Sequence, residues 1–369
     1  MAQIDIGSSK NRNYEPSLDY LRALAAIIIF IYHTTVTYRG YNSPPPDWIN
    51  TSWPLFWNPI VVFFVEGHTA VTLFMVMSGY VLTKGVVGKK ISYGIFLTNR
   101  MLRILPLYIF VTMFGVSIHP ETFSINGLIQ TLLPFANIRG AIQSEVLTAL
   151  FWSIAVEFQF YLLFPFIKRF IESQGVSFGA RVICLFFLFR IIALFYIVNM
   201  RDFTYLTIFG RMDQFVIGMM LAFFPVPRWS SHWVSFPAVM IGTLALLLFF
   251  HRLGGYPVYE WWKLFWPSAE AIAWATVILV SLNSPYRMPL FARSVLIFIS
   301  NMSFSIYILH STVLQIFGER NLYIQFSDHL YANAILNSIL LLPIVLALSW
   351  VTFMVIEKPF MEMRRKYIS

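Results

Sequence analysis

Apolar runs of about 20 residues recur from Leu18 to Ile356 with no long polar block between them. That is the length a helix needs to cross the hydrocarbon core of a bilayer. The runs lie near 18–37, 60–83, 103–119, 146–167, 180–199, 205–225, 234–251, 264–282, 294–317 and 333–356. They predict an all-α, polytopic integral membrane protein with about ten transmembrane helices. Charged residues make up only 12% of the chain, about half the share usual in soluble domains, so a water-soluble globule is excluded. The first 17 residues are polar, and the run after them lacks a small-residue cleavage site. It reads as a retained anchor and not as a signal peptide. The expected organisation is a tail over 1–17, a membrane domain over 18–358 and a second tail over 359–369.

The net charge of +9 does not point to nucleic acid, because Lys and Arg sit in short clusters between apolar runs and not on one basic face. With both termini cytoplasmic, about 17 of the 26 Lys and Arg residues fall on that side, the bias that sets orientation in membranes. The clusters that carry it are Lys84 to Arg103, Lys168 with Arg169, and Arg364 to Lys366. Outer loops such as Ser43 to Trp48 and Trp261 to Trp266 are rich in Trp and Pro, as suits a membrane interface. Ile125 to Phe135 is amphipathic and reads as a surface connector in preference to a lid over a cavity. Cys184 stands alone, so neither an internal disulfide nor a cysteine metal cluster is expected. No inverted pair of broken spans is visible, which weighs against a transporter.

Ionisable residues inside such spans are costly and invite an explanation. Arg22 and His33 are eleven residues apart on one run. At 100° and 1.5 Å per residue they share a face within about 20°, separated by roughly 16 Å. Either they line one functional face at two depths, or Arg22 snorkels to headgroups and His33 is a satisfied interhelical histidine. In the second run Glu66 and His68 stand at the outer end, with Thr72 and Ser78 deeper. Ser78-Gly79 reads more readily as a small-residue packing site than as part of a polar stripe. Arg100 and Arg103 lie on one helical face and suit bidentate phosphate contact, although anchoring at the cytoplasmic boundary would also place them there. Ser153, Glu157 and Tyr161 recur every four residues as one stripe. Glu157 should pair with a base or remain protonated through desolvation, and a structural ion pair with Arg190 or Arg211 is the plainer alternative. Ser303 and His310 share a face in the ninth run, with His310 in the outer half like His33. There is no phosphate-binding loop, dinucleotide glycine pattern, His-Glu-x-x-His site or Gly-x-Ser-x-Gly elbow, so a nucleotide-driven pump is not expected.

Taken in order, these segments resemble the acyltransferase-3 family of multi-spanning membrane acyltransferases. The likeness rests on Leu18 to Ala25 with the Arg22 and His33 spacing, Phe74 to Gly79, Arg100 to Arg103, and Trp152 to Pro165. It continues through Arg211 to Gly218, Ser303 to His310, and Ile356 to Phe360. It departs at Thr72, where members often carry an aspartate. Some members append an esterase-like domain, and a chain ending at Ser369 would work without one. The resemblance implies O-acyl transfer from cytoplasmic acyl-CoA, acetyl-CoA above all, to a hydroxyl of a carbohydrate or cell-surface glycan, in the inner membrane if the source is bacterial. No metal and no nucleic acid are implied. His33 is the expected general base, an imidazole having a suitable pKa near 6.5, with Glu157 and His310 beside it in the catalytic set. Arg22, Arg100 and Arg103 are expected to bind the coenzyme, and Glu66, Trp152 and Tyr161 to meet the substrate. A covalent acyl-histidine route stays open. The competing reading is a small-solute or proton-coupled transporter using the buried His, Arg and Glu.

Overall fold

The computed structural model describes residues 15–42, 55–122, 124–133, 136–137, 150–197, 199–224, 232–282 and 288–368. Most of these residues are helical. In chain order the helices are α1 (Pro16–Asn42), α2 (Pro59–Val65), α3 (Thr69–Lys84), α4 (Tyr93–Ile118), α5 (Ile125–Leu132), α6 (Phe151–Gln174), α7 (Val176–Tyr196) and α8 (Met200–Leu206). After them come α9 (Ile208–Leu221), α10 (His232–Arg252), α11 (Trp266–Leu282), α12 (Leu290–Asn301), α13 (Ser303–Glu319), α14 (Leu330–Thr352) and α15 (Lys358–Glu362). Five of the helices are long and apolar enough to cross a membrane, and up to seven spans result if each bent pair counts as one. The remaining expected runs fold as shorter helices or as helices too polar to qualify.

Two expected spans are sharply bent at a break, contrary to the continuous runs that the apolar pattern predicts. The axes of α2 and α3 meet at 73°, and those of α12 and α13 at 71°. The first break falls at Glu66, Gly67 and His68. A Cβ on Gly67 would stand 2.7 Å from the Tyr32 Cβ, so only glycine lets the bend press against α1. Asn58 starts α2 by accepting from the N–H groups of Ile60 and Val61, and Thr207 starts α9 by accepting from Gly210 N–H. These Ncap bonds satisfy donors that the first helical turn leaves unpaired. The Thr207 cap also divides the run expected over 205–225 into α8 and α9.

Packing is densest where α3 crosses α9. A Cβ on Gly79 would lie 2.1 Å from the Phe215 carbonyl oxygen, and one on Gly218 would lie 2.0 Å from that of Val76. The Ser78-Gly79 packing reading therefore holds for the glycine, and α9 answers with a glycine of its own. Leu73, Val76, Phe215, Val216 and Phe160 fill the core around this crossing. Away from it, Phe110, Phe195, Ile241 and Ile339 are exposed. Helices that are apolar on the outside as well as the inside suit lipid and not water.

Arg190 on α7 is wholly buried and donates to Asp213 on α9 at 2.6 Å and to the Leu264 carbonyl at 2.8 Å. Its role is structural. Arg190→Leu alone is expected to strand the Asp213 carboxylate and destabilise the protein by about 3–5 kcal/mol. Changing Asp213 to leucine as well should recover most of that loss, as read by thermal unfolding in detergent. The amphipathic segment docks as a connector: Tyr108 on α4 donates to the Thr131 carbonyl at 2.8 Å, while Ile125 and Ile129 stay exposed. Phe135 and the Ser43–Trp48 loop lie outside the described residues.

Candidate active site

A cavity of about 400 Å³ opens where α1, α3, α4, α6, α13 and the C-terminal segment converge. Four guanidinium groups stand around it: Arg22, Arg100, Arg103 and Arg364. Arg22 donates to Asp19 at 2.7 Å. Arg103 lies 3.6 Å from Glu357, whose other oxygen accepts from Ser305. Arg100 faces the rings of Phe96 and Tyr161, and its Nε is buried with no hydrogen-bond partner. Burial, together with the neighbouring Arg103 and Arg100, pushes Arg364 down to about 10. Guanidinium groups crowded this way gain from an anion that bridges them. Arg364 reads from sequence only as part of a basic tail. It reaches the cavity because Asn99 clasps the backbone of Arg365 with both ends of its amide, at 2.6 and 3.0 Å.

The α6 stripe lines this cavity, with Ser153, Glu157 and Tyr161 all on its wall. Glu157 pairs with neither Arg190 nor Arg211. It accepts from Tyr161 at 2.5 Å and from Ser78 at 3.2 Å, so the serine of Ser78-Gly79 faces the polar wall while the glycine packs. Arg211 instead donates to Thr72 at 3.0 Å, and Thr72 donates to Glu270 at 2.6 Å. Glu270, on α11, thus places a carboxylate beside Thr72. At the inner end, the hydroxyls of Ser153 and Tyr307 lie 2.6 Å apart.

Beyond Tyr307, whose ring centroid is 5.9 Å from that of His310, lies a histidine pair outside the cavity lining. His33 Nδ1 and His310 Nε2 are 2.8 Å apart, and His310 Nδ1 is 2.8 Å from the Ile306 carbonyl. A carbonyl only accepts, so His310 carries its proton on Nδ1 and presents a lone pair at Nε2. His33 must then donate from Nδ1, which leaves its own Nε2 as a base. His310 is fully buried and His33 only partly. The two histidines thus meet, an arrangement that spacing within each run could not show.

The other expected substrate residues stand apart from the cavity. Glu66 is fully buried and accepts from His251 at 2.7 Å and His68 at 2.9 Å. Trp152 lies under the Arg211 guanidinium, 5.7 Å from its ring centroid. Among the described residues no group of three His, Cys, Asp or Glu side chains is arranged to hold a metal ion.

A family described as an acyltransferase domain matches residues 15–354. The chain belongs to the acyltransferase-3 family. Its similarity to individual relatives is more distant. The O-acetyltransferase OatA of Staphylococcus aureus strain NCTC 8325 / PS 47 is 24% identical over 336 residues, which cover 82% of this chain and 51% of that protein. OatA of strain COL matches equally. In strain MSSA476 a protein provisionally named an O-acetyltransferase, SAS0844, is 24% identical over 383 residues, covering 86% of this chain and 55% of that one. The chain spans about half the length of these curated relatives. No solved structure matches it.

Proposed function

We propose that this acyltransferase-3 protein is a membrane-embedded O-acyltransferase that moves an acyl group, acetyl above all, from acyl-CoA to a carbohydrate hydroxyl. One observation carries the reading: a base-presenting histidine pair lies just past the inner end of a cavity that is ringed by guanidinium groups. The face with Arg22, Arg100, Arg103 and Arg364 is taken as cytoplasmic, with both termini there and about ten spans between them. The coenzyme phosphates bind those arginines, and the pantetheine arm runs along the wall of Ser78, Glu157 and Tyr161. His33 Nε2 takes the proton of the acceptor hydroxyl as its oxygen attacks the thioester carbonyl. Collapse of the tetrahedral intermediate breaks the C–S bond, and the thiolate leaves with the proton from His33. His310 orients His33 through the Nδ1 bond. Tyr307 and Ser153 stand at the inner end as hydroxyl donors for the oxyanion.

Arg364→Gln is expected to raise the KM for acetyl-CoA about tenfold with kcat little changed, since a charge-assisted contact is lost from binding alone. Equal KM in variant and wild type would remove Arg364 from the donor site. The overall reading is tested with protein purified into nanodiscs, labelled acetyl-CoA and sugar acceptors. Labelled ester supports it, and absence of ester with every hydroxyl acceptor overturns it. The two broken spans favour a second reading, because discontinuous helices build transporter sites. Solute flux into proteoliposomes without coenzyme A would select that one.

A further inference from the structure

The break between α2 and α3 holds a set of buried polar groups that the transfer step does not use. His251 Nε2 accepts from the Phe56 backbone N–H at 2.9 Å, so His251 is protonated on Nδ1 and donates from there to Glu66. His68 directs its Nε2 to the other Glu66 oxygen at 2.9 Å. As a donor to that carboxylate, its imidazole keeps a lone pair at Nδ1. His68 is only 6% exposed, and its Nδ1 has no hydrogen-bond partner. Tyr205 of α8 packs edge-on against the same ring at 5.2 Å, and its hydroxyl is likewise buried and unpartnered. Two buried unpartnered polar groups on adjacent rings, from separate parts of the chain, are uncommon in native proteins and need an explanation, of which a bound ligand is one.

Their chemistry is complementary. One hydroxyl group can donate to His68 Nδ1 while accepting from the Tyr205 hydroxyl. Aromatic rings surround the pair: Tyr256 lies 5.0 Å from His68 and 4.9 Å from Tyr205, and Phe250 lies 5.8 Å from His68. Such apolar faces suit the C–H faces of a sugar ring. Lys263 holds the Tyr256 end by donating to the carbonyls of Gly255 and Tyr256 at 2.9 and 2.7 Å. The site is also close to the reaction centre, since the Tyr32 ring touches both His68 at 5.6 Å and His33 at 5.0 Å.

We propose that His68 and Tyr205 form an acceptor subsite that holds a second hydroxyl of a polyhydroxylated substrate while another of its hydroxyls reacts at His33. This rests on the reading of His33 as the reaction centre. It places acceptor selection on a side of His33 away from the coenzyme cavity. It also makes a polyol or sugar a better acceptor than any simple alcohol.

The test uses Tyr205→Phe and His68→Phe proteins in nanodiscs, with acetyl-CoA as donor. The acceptors are a panel of methyl glycosides, the monodeoxy analogues of whichever reacts, and cyclohexanol as an acceptor with one hydroxyl. Tyr205→Phe removes a buried hydroxyl that has no hydrogen-bond partner in the protein, so a purely structural role predicts unchanged kinetics and equal or higher thermal stability. The subsite predicts instead a rise of about tenfold in acceptor KM, with the KM for acetyl-CoA unchanged. It also predicts that the rise vanishes for one deoxy analogue, the one lacking the held hydroxyl. An unchanged acceptor KM in both variants overturns the subsite, as does wild-type transfer to cyclohexanol as efficient as to the glycosides. Transfer that survives His33→Ala overturns the underlying reading instead, and that outcome is separate from the other two.

Discussion

His33→Ala is expected to lower acyl transfer by about 10²- to 10⁴-fold, the usual contribution of a positioned general base, while acetyl-CoA binds as in the wild type. The separation of effects follows from position. The guanidinium groups line the cavity, and the His33–His310 pair lies past its inner end. Losing the imidazole should therefore reduce kcat and leave donor affinity alone. His310→Ala should cost less, because in the proposed mechanism His310 bonds to His33 and not to the reacting atoms. Its signature is a changed pH–rate profile, since His33 loses the acceptor that holds its Nδ1 proton. Rates of transfer and equilibrium binding of acetyl-CoA, measured on the same preparations, check both. Full transfer by His33→Ala would remove it from the mechanism.

Gly79→Val and Gly218→Val are each expected to abolish the folded protein. An added Cβ at either position would lie about 2 Å from a backbone carbonyl oxygen of the facing helix. No rotamer change can relieve that contact, because the obstacle is main chain. The helices must move apart, and ordinary overpacking of a core already costs about 1–3 kcal/mol. Here the separation would also open the core around Phe160 and Phe215, whose rings stack with centroids 4.1 Å apart. Chromatographic profile and thermal stability in mild detergent measure the effect. A monodisperse Gly79→Val protein with wild-type stability would show that α3 and α9 do not cross this closely.

The parts that sequence reveals are those with local periodicity. Apolar runs place the helices, and four-residue spacing places Ser153, Glu157 and Tyr161 on one cavity wall. The bends escape such a reading because hydropathy averages over them. The break at Gly67 presses against Tyr32, more than thirty residues away along the chain, and no run of apolar letters records that contact. Partners of charged groups are hidden for the same reason. Glu157 bonds to Ser78 and Tyr161 and not to an arginine, and Arg211 finds Glu270 through Thr72. Glu66, which the family resemblance implies meets the substrate, spends both oxygens on His68 and His251. Arg364 looked like a topology signal because its approach to Arg100 and Arg103 depends on Asn99 holding the last strand of chain.

The central claim is that one continuous route leads from the arginine-rimmed mouth past Tyr307 to His33. A structure of the protein in nanodiscs with a non-hydrolysable thioether analogue of acetyl-CoA tests it most directly. The account predicts phosphate density among Arg22, Arg100, Arg103 and Arg364, pantetheine density along Ser78 and Glu157, and the acyl carbon next to His33 Nε2. Phosphates bound elsewhere, or an arm that ends away from His33, would contradict it.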